Sequence, residues 1–330
     1  MRAGKTLLLL FVAAILISQE SPSSAIGADV AQTKEVEAAN ASLKRALDLA
    51  RPNLLEVQQL LYTGKFEDLE KLYDGILLQY QKDADYESPL DKAYGLFRPN
   101  NSISPADLDL WVTKTDSYVA YAARGTYRDR QGFAARGDKF INETPESNIK
   151  QMIYFHQLAA KDLQTAISKN PRFMPAYSNL IDLAKASRMP FSTHEMAQKA
   201  EAIDKRSYYV RYEFMTTLQP RWGGSYELMA AFAQHAIQYL DVNARLWTLQ
   251  AEVDTDRGNL LFLANNHAAA IQSYTKALQF GDRLSTLNYR ALCYEKIGEK
   301  DKAVADVKKV LYYEPTNELA LRILRRNGGG

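Results

Sequence analysis

Cysteine is nearly absent: Cys293 is the single one in 330 residues. No internal disulfide can form, so packing has to supply the stability, and a thiolate zinc cluster is excluded. Histidine is scarce too. His156, His194, His235 and His267 include no pair at i, i+4, and "HEMAQ" from His194 lacks the second histidine of a zinc-protease helix. No P-loop and no Gly-x-Gly-x-x-Gly string occurs. The sequence therefore points to no metal, no cofactor and no catalytic residue. Excess charge of one sign is also missing. A formal net charge of +2 argues against a nucleic acid or other polyanion as partner. Beyond the first residues no apolar stretch approaches the roughly 20 residues that span a bilayer as a helix, so no stable membrane insertion is expected.

What is present begins with "MRAGKTLLLLFVAAILISQESPSSAIGADV". Arg2 and Lys5 precede an apolar run over residues 7–17, followed by small residues. The run is too short to span a bilayer, and the order of charge, apolar core and small residues is that of a secretory signal peptide. Residues 1–28 are read as that segment, with cleavage after Ala25 or Ala28; a retained membrane anchor is the alternative. No cysteine lies there to anchor a lipid. Loss of Arg2, Lys5 and Glu20 changes the net charge from +2 to about +1. The expected location is periplasmic or secreted. In a eukaryotic secretory pathway, Asn40, Asn100 and Asn142 would each open a glycosylation triplet.

The remainder shows helical periodicity and almost no strand alternation. In "NLLEVQQLLYTGKFEDLEKLYDGILLQYQKD" apolar residues recur three and four apart, with a break at Thr63 and Gly64. "RPNNSISPADL" carries a helix start, with Ser104 as N-cap, Pro105 as first helical residue and Asp107 in the first turn. Toward the C-terminus, "HAAAIQSYTKALQFGD" and "KDKAVADVKKVLYYEP" repeat at a 33-residue offset, aligning Ala270 with Ala303, Tyr274 with Val307 and Ala277 with Val310. Each has an upstream partner helix with a small residue at matching places, Gly258 and Ala291. Two helices approach closely only where small side chains face each other. The pattern resembles the tetratricopeptide repeat, a helix–turn–helix unit of about 34 residues. Weaker copies lie around Ala159, Leu163, Ala166 and Pro171, and around Gly125. The expected fold is all-α, a right-handed helical-hairpin solenoid with irregular middle units. A helical domain is expected over 29–242, repeats over 243–317, and a helix end with a tail over 318–330.

"FEDLEKLYDGILLQYQ", "ARGTYRDRQGFAARG" with two Ala-Arg-Gly triplets, and "RYEFMTTLQPRWGGSYELM" carry a second resemblance. Residues 54–240 resemble a secreted bacterial family catalogued as domain of unknown function 4034. That resemblance implies a helical secreted protein and brings no activity with it.

Three sets of residues are candidates for binding. In "PRWGGSYELM", Pro220 ends the preceding segment, Gly223 and Gly224 permit a reversal, and Ser225 or Gly224 caps the next helix. Glu227 in its first turn complements the dipole. Two readings stand: a structural corner clamped by Trp222, or an anion site formed by Arg221 and the amides of Gly224 and Ser225. Arg124 and Arg136, with Arg128 and Arg130 between them, form the second set. They serve either as ion pairs between helices or as an anion-binding inner wall. Twelve residues at about 100° each keep Arg124 and Arg136 off one face of a straight helix. The third set is the inner face of the repeats. By register it holds Asn259, Phe262, Asn288 and Glu295, with Asp182 and Lys185 at similar places earlier. Thr255 stands where the lysine of a carboxylate clamp would be, which argues against binding of chaperone tails. The favoured reading is a binding or scaffolding module for a peptide or protein, and not an enzyme. The alternative is a small-ligand receptor or enzyme with a pocket near Trp222 and Arg124. Self-association of the repeats as a homo-oligomer is a third.

Overall fold

The computed structural model describes residues 25–139 and 141–328. Residues 1–24, with the charged and apolar parts of the expected signal, lie outside the described residues. Among those described, the regular structure is α-helix and short 3-10 turns, with no strand. None of the described helices is long and apolar enough to cross a membrane. The chain forms two compact units. One is Leu49–Thr217; the other combines the described residues up to Asp48 with those of Leu218–Gly330.

The Leu49–Thr217 unit is built from α2 (Leu54–Tyr62), α3 (Phe66–Lys82), α4 (Glu87–Tyr94), α5 (Pro105–Thr115), α6 (Tyr118–Arg136), α7 (Glu146–Lys169), α8 (Met174–Ala186), α9 (Thr193–Ile203) and α10 (Tyr208–Thr217). Side-chain caps fix the helix starts. Asn53 accepts from Glu56 N–H, Ser104 from Ala106 N–H ahead of Pro105, Ser117 from Ala120 N–H, and Ser192 from Glu195 N–H. Each occupies an orphan donor of a first turn. Gly137, at φ +81°, ends α6. Trp111, Tyr73, Phe97 and Phe173 are fully buried. Tyr94 meets Phe173 with ring centroids 4.7 Å apart and Tyr73 at 4.8 Å, the offset and edge geometry that aromatic rings prefer. The long α6–α7 hairpin closes over two glycines. A Cβ on Gly125 would lie 2.9 Å from Leu163 Cγ, and one on Gly132 would lie 2.3 Å from His156 Cδ2. Gly125 thus fills the small-residue role that its sequence position suggests.

The other unit contains α1 (Ala25–Asp48), α11 (Tyr226–Ala236), α12 (Glu252–Leu263), α13 (His267–Ala277), α14 (Leu284–Lys296), α15 (Lys300–Tyr313) and α16 (Glu318–Arg326). A 3-10 run, Ala244–Ala251, leads directly into α12. The repeat register is visible in the packing. A Cβ on Gly258 would fall 2.5 Å from the buried Tyr274 ring, so glycine lets α12 lie against α13. Ala291 and Ala303 share a core with Leu287, Val307, Val310, Ala320 and Ile323. The last two belong to α16, which covers the apolar end of the second hairpin. α1 rests on the same unit: Asn40 Oδ1 accepts from Asp282 N–H at 2.7 Å, and Gly281, at φ +121°, passes close to the same side chain. The first glycosylation triplet therefore has its asparagine engaged inside the fold.

Candidate functional site

At the Pro-Arg-Trp-Gly-Gly corner, the chain makes one 3-10 turn over Pro220–Trp222. The Gln219 carbonyl accepts from Trp222 N–H at 2.9 Å and from Gly224 N–H at 3.2 Å. The Gly224 amide is thereby engaged inside the corner. Ser225 caps α11 by accepting from Leu228 N–H, and Glu227 lies in its first turn, as the sequence suggests. Gly223 adopts φ +89°. Gly224 is demanded by space, since a Cβ there would stand 2.0 Å from the Leu218 carbonyl oxygen. Arg221 donates to Asp256 Oδ1 at 2.8 Å and to Gln219 Oε1 at 2.6 Å. Asp256 is buried and also accepts from Tyr226 OH at 3.1 Å. Trp222 is half exposed to solvent.

The α6 arginines form an inter-helix cross-link. Arg124 grips Asp162 of α7 in bidentate fashion, Nε and Nη2 donating at 2.9 and 2.8 Å, and reaches Asp109 of α5 at 2.8 Å. Arg128 donates to the same Asp162 at 2.7 Å. Burial alone would lower the Arg124 pKa; the Asp162 and Asp109 carboxylates outweigh it and raise the value above the usual guanidinium range. Planar guanidinium forks suit such shared carboxylates. Arg136 stands apart in the last turn of α6 and donates to the Lys139 carbonyl at 3.0 Å.

A further cluster involves Asp182 and residues that sequence reading did not bring together. Asp129 on α6, His156 on α7, Asp182 and Lys185 on α8, Ser187 at the end of α8, and Glu213 on α10 form a polar seam. Lys185 Nζ lies 2.7 Å from Asp182 Oδ1, 3.4 Å from Glu213 Oε2 and 3.0 Å from Thr216 Oγ1. His156 is fully buried, its Nδ1 2.7 Å from Ser187 Oγ and its Nε2 3.9 Å from Asp129 Oδ1. Neither Nε2 nor Oδ1 has a hydrogen-bond partner. Burial pushes the Asp129 carboxyl up to about 7, with Asp182 and Glu213 adding to the rise and Arg130 and Lys185 opposing it. Burial likewise pushes Glu213 up to about 7 against the pull of Lys185. It drives His156 down to about 4, opposed by Asp182 and by the Asp129 backbone carbonyl. The Asp129, His156 and Ser187 connectivity has the outline of a nucleophilic triad but lacks its chemistry. An imidazole so weakly basic is a poor general base at neutral pH, and Ser187 sits at a helix C-terminus, where carbonyls rather than oxyanion-binding amides converge. Among the described residues, no group of three or more histidine, cysteine or carboxylate side chains is placed to hold a metal. The sequence carried one sign of this seam. Gly132, one helical turn beyond Asp129, is the hollow that admits the imidazole.

On the repeats, the polar residues of the expected inner face have partners within the unit. Asn259 Oδ1 accepts from Tyr274 OH at 2.9 Å. Asn288 is buried, its Nδ2 3.4 Å from Asn317 Oδ1. Glu295 accepts from Arg326 at 2.9 and 2.8 Å and from Asn327 at 2.9 Å. Apolar groups are the ones left to solvent. Leu260 and Leu263 of α12 are 45% and 63% exposed, and Tyr289 of α14, 40% exposed, meets Phe262 edge-on with centroids 5.3 Å apart. Thr255, at the clamp-lysine position, is buried.

Residues 285–317 match the tetratricopeptide repeat family. No curated protein matches the chain. Repeats of this type, and helical-repeat folds in general, act as protein-interaction scaffolds.

Proposed function

We propose that the protein is an exported helical-repeat scaffold whose C-terminal hairpins bind a peptide or a segment of another protein. The observation that carries this reading is the unsatisfied apolar surface on the first helices of the repeats. Phe262 of α12 meets Tyr289 of α14 edge-on, and Tyr289 and the neighbouring Leu263 are exposed, while the polar Asn259, Asn288 and Glu295 are engaged internally. Large exposed apolar side chains grouped on one face mark interaction surfaces, and aromatic anchors dominate such contacts. The partner would contribute apolar side chains to this face. Export is supported by the charge, apolar and small-residue order of residues 1–28, and the resemblance of residues 54–240 to a secreted bacterial family agrees with it. Arg221 and Arg124, the arginines of the small-ligand reading, are engaged by Asp256 and Asp162, which favours the scaffold reading.

The test compares affinity capture by the full chain with capture by Leu263→Glu/Tyr289→Glu, after circular dichroism has shown equal helix content. Loss of the wild-type partner set is expected. An unchanged set would remove the apolar face from the binding role. Fusion of residues 1–28 to a phosphatase that is active only outside the cytoplasm checks export separately.

A further inference from the structure

Tyr289 and Lys296 stand seven residues apart on α14, two helical turns, and so share one side of that helix. The partly buried Leu292 comes between them, and Ile297, next to Lys296, is 46% exposed. On α16, Arg326 donates to both Glu295 oxygens at 2.9 and 2.8 Å, which sets that side of α16 against the end of α14. Arg322 lies one turn before Arg326 and follows Tyr289 by the 33-residue repeat offset. The exposed apolar surface of α12 and α14 therefore continues from Leu263 and Tyr289 to Lys296 and Arg322.

The acids along these helices are neutralised from within the unit. Glu252 pairs with Arg283, Asp256 with Arg221, and Glu295 with Arg326. Three cations are not. Lys296, Arg322 and Arg325 are exposed and make no ion pair among the described residues. Glu318, in the first turn of α16, is exposed and paired with none of them. An apolar patch bordered at one end by unpaired cations is complementary to a chain that carries carboxylates beside bulky apolar side chains. Three cations at one end suit a short acidic run.

We infer that the segment bound by the repeats is acidic: its bulky apolar side chains seat on Leu263 and Tyr289, and adjoining aspartate or glutamate side chains meet Lys296, Arg322 and Arg325. The inference rests on the peptide-binding reading of the apolar face and adds to it the charge of the bound chain and the end at which that charge lies. The carboxylates are those of side chains. Thr255 occupies the clamp-lysine position and is buried, so a free C-terminus meets no cation there. Ion pairs this exposed are individually weak and screened by salt. Their effect falls on the choice of partner and the rate of encounter as well as on affinity.

Selection of an unbiased displayed peptide library on the full chain, followed by fluorescence anisotropy with an enriched peptide, tests this. Enriched peptides should combine aspartate or glutamate with large apolar residues. Lys296→Glu/Arg322→Glu should weaken binding about tenfold. Raising salt from about 50 to 500 mM should weaken binding to the wild type, and amidating the C-terminus of the peptide should leave affinity unchanged. Should the charge-reversed variant not fold, Lys296→Gln/Arg322→Gln and the salt series decide. Enrichment of neutral or basic peptides, or equal affinity for the charge-reversed protein, overturns the inference. If Leu263→Glu/Tyr289→Glu still abolishes binding in that case, the apolar face keeps its role and only the acidic partner falls. If no peptide is enriched, or if the chain binds anionic phosphatidylglycerol vesicles instead, both fall.

Discussion

A methyl group on Gly224 would meet the Leu218 backbone, 2.0 Å from its carbonyl oxygen and 2.4 Å from its carbonyl carbon, with no side chain able to give way. The same group on Gly223 would meet open space, and only the φ of +89° would resist it. Replacing Gly224 with alanine should therefore cost about 3 kcal/mol through overpacking, and replacing Gly223 about 1 kcal/mol through left-handed strain. Urea denaturation of the two variants orders them. The corner was legible at this scale because proline and the paired glycines act on their own backbone and the capping serine reaches an amide only three residues on. The partners of Arg221 and Arg124 were not legible. Asp256 lies 35 residues from Arg221 and Asp162 lies 38 from Arg124, and nothing local in the sequence joins them.

α16 shows what periodicity conveys and what it leaves out. Its Ala320 and Ile323 are buried in the core of the second hairpin, and Asn317 caps it by accepting from Ala320 N–H at 3.1 Å. Truncating Ile323 to alanine should cost about 2–5 kcal/mol. Hydrogen exchange should show the loss concentrated in α14–α16, and equal loss in α6–α7 would contradict this assignment. The repeat offset made the α12–α15 hairpins readable, because Gly258, Ala291 and Ala303 mark where helices touch. The same register suggested Asn259, Asn288 and Glu295 as inner-face residues. It could not reveal that Tyr274, Asn317 and Arg326 would bond to them, because side-chain pairing depends on rotamers that periodicity does not encode. The seam of Asp129, His156, Lys185 and Glu213 was hidden for a related reason. It draws on four helices whose mutual arrangement is tertiary information.

For the molecule as a whole, the buried Asp129 and His156 and the partly buried Glu213 link stability to pH. Asp129 and Glu213 are both raised to about 7, from ordinary values of 3.8 and 4.5. The folded state keeps two protons that the unfolded chain loses near pH 4, so their contribution is full below that and is lost as pH rises through 7. His156, lowered to about 4 from 6.5, acts oppositely: the unfolded chain holds a proton between those values that the folded state lacks, so stability rises with pH there. Two opposed terms and one remaining leave a net decline from about pH 4.5 to 6.5, steeper from there to about 7. Urea midpoints should be higher at pH 6 than at pH 8, and Glu213→Gln should flatten the difference. A midpoint that rises over this interval would refute the assignment.

The bond from Asn40 to Asp282 also orders events in time. As a ribosome delivers the chain from its first residue onward, α1 emerges early and its docking surface almost last, after all of Leu49–Thr217 has been made. Domains generally fold as units during synthesis, so the intervening unit can settle while α1 still waits for a seat. Joining the two ends then becomes the closing act of maturation.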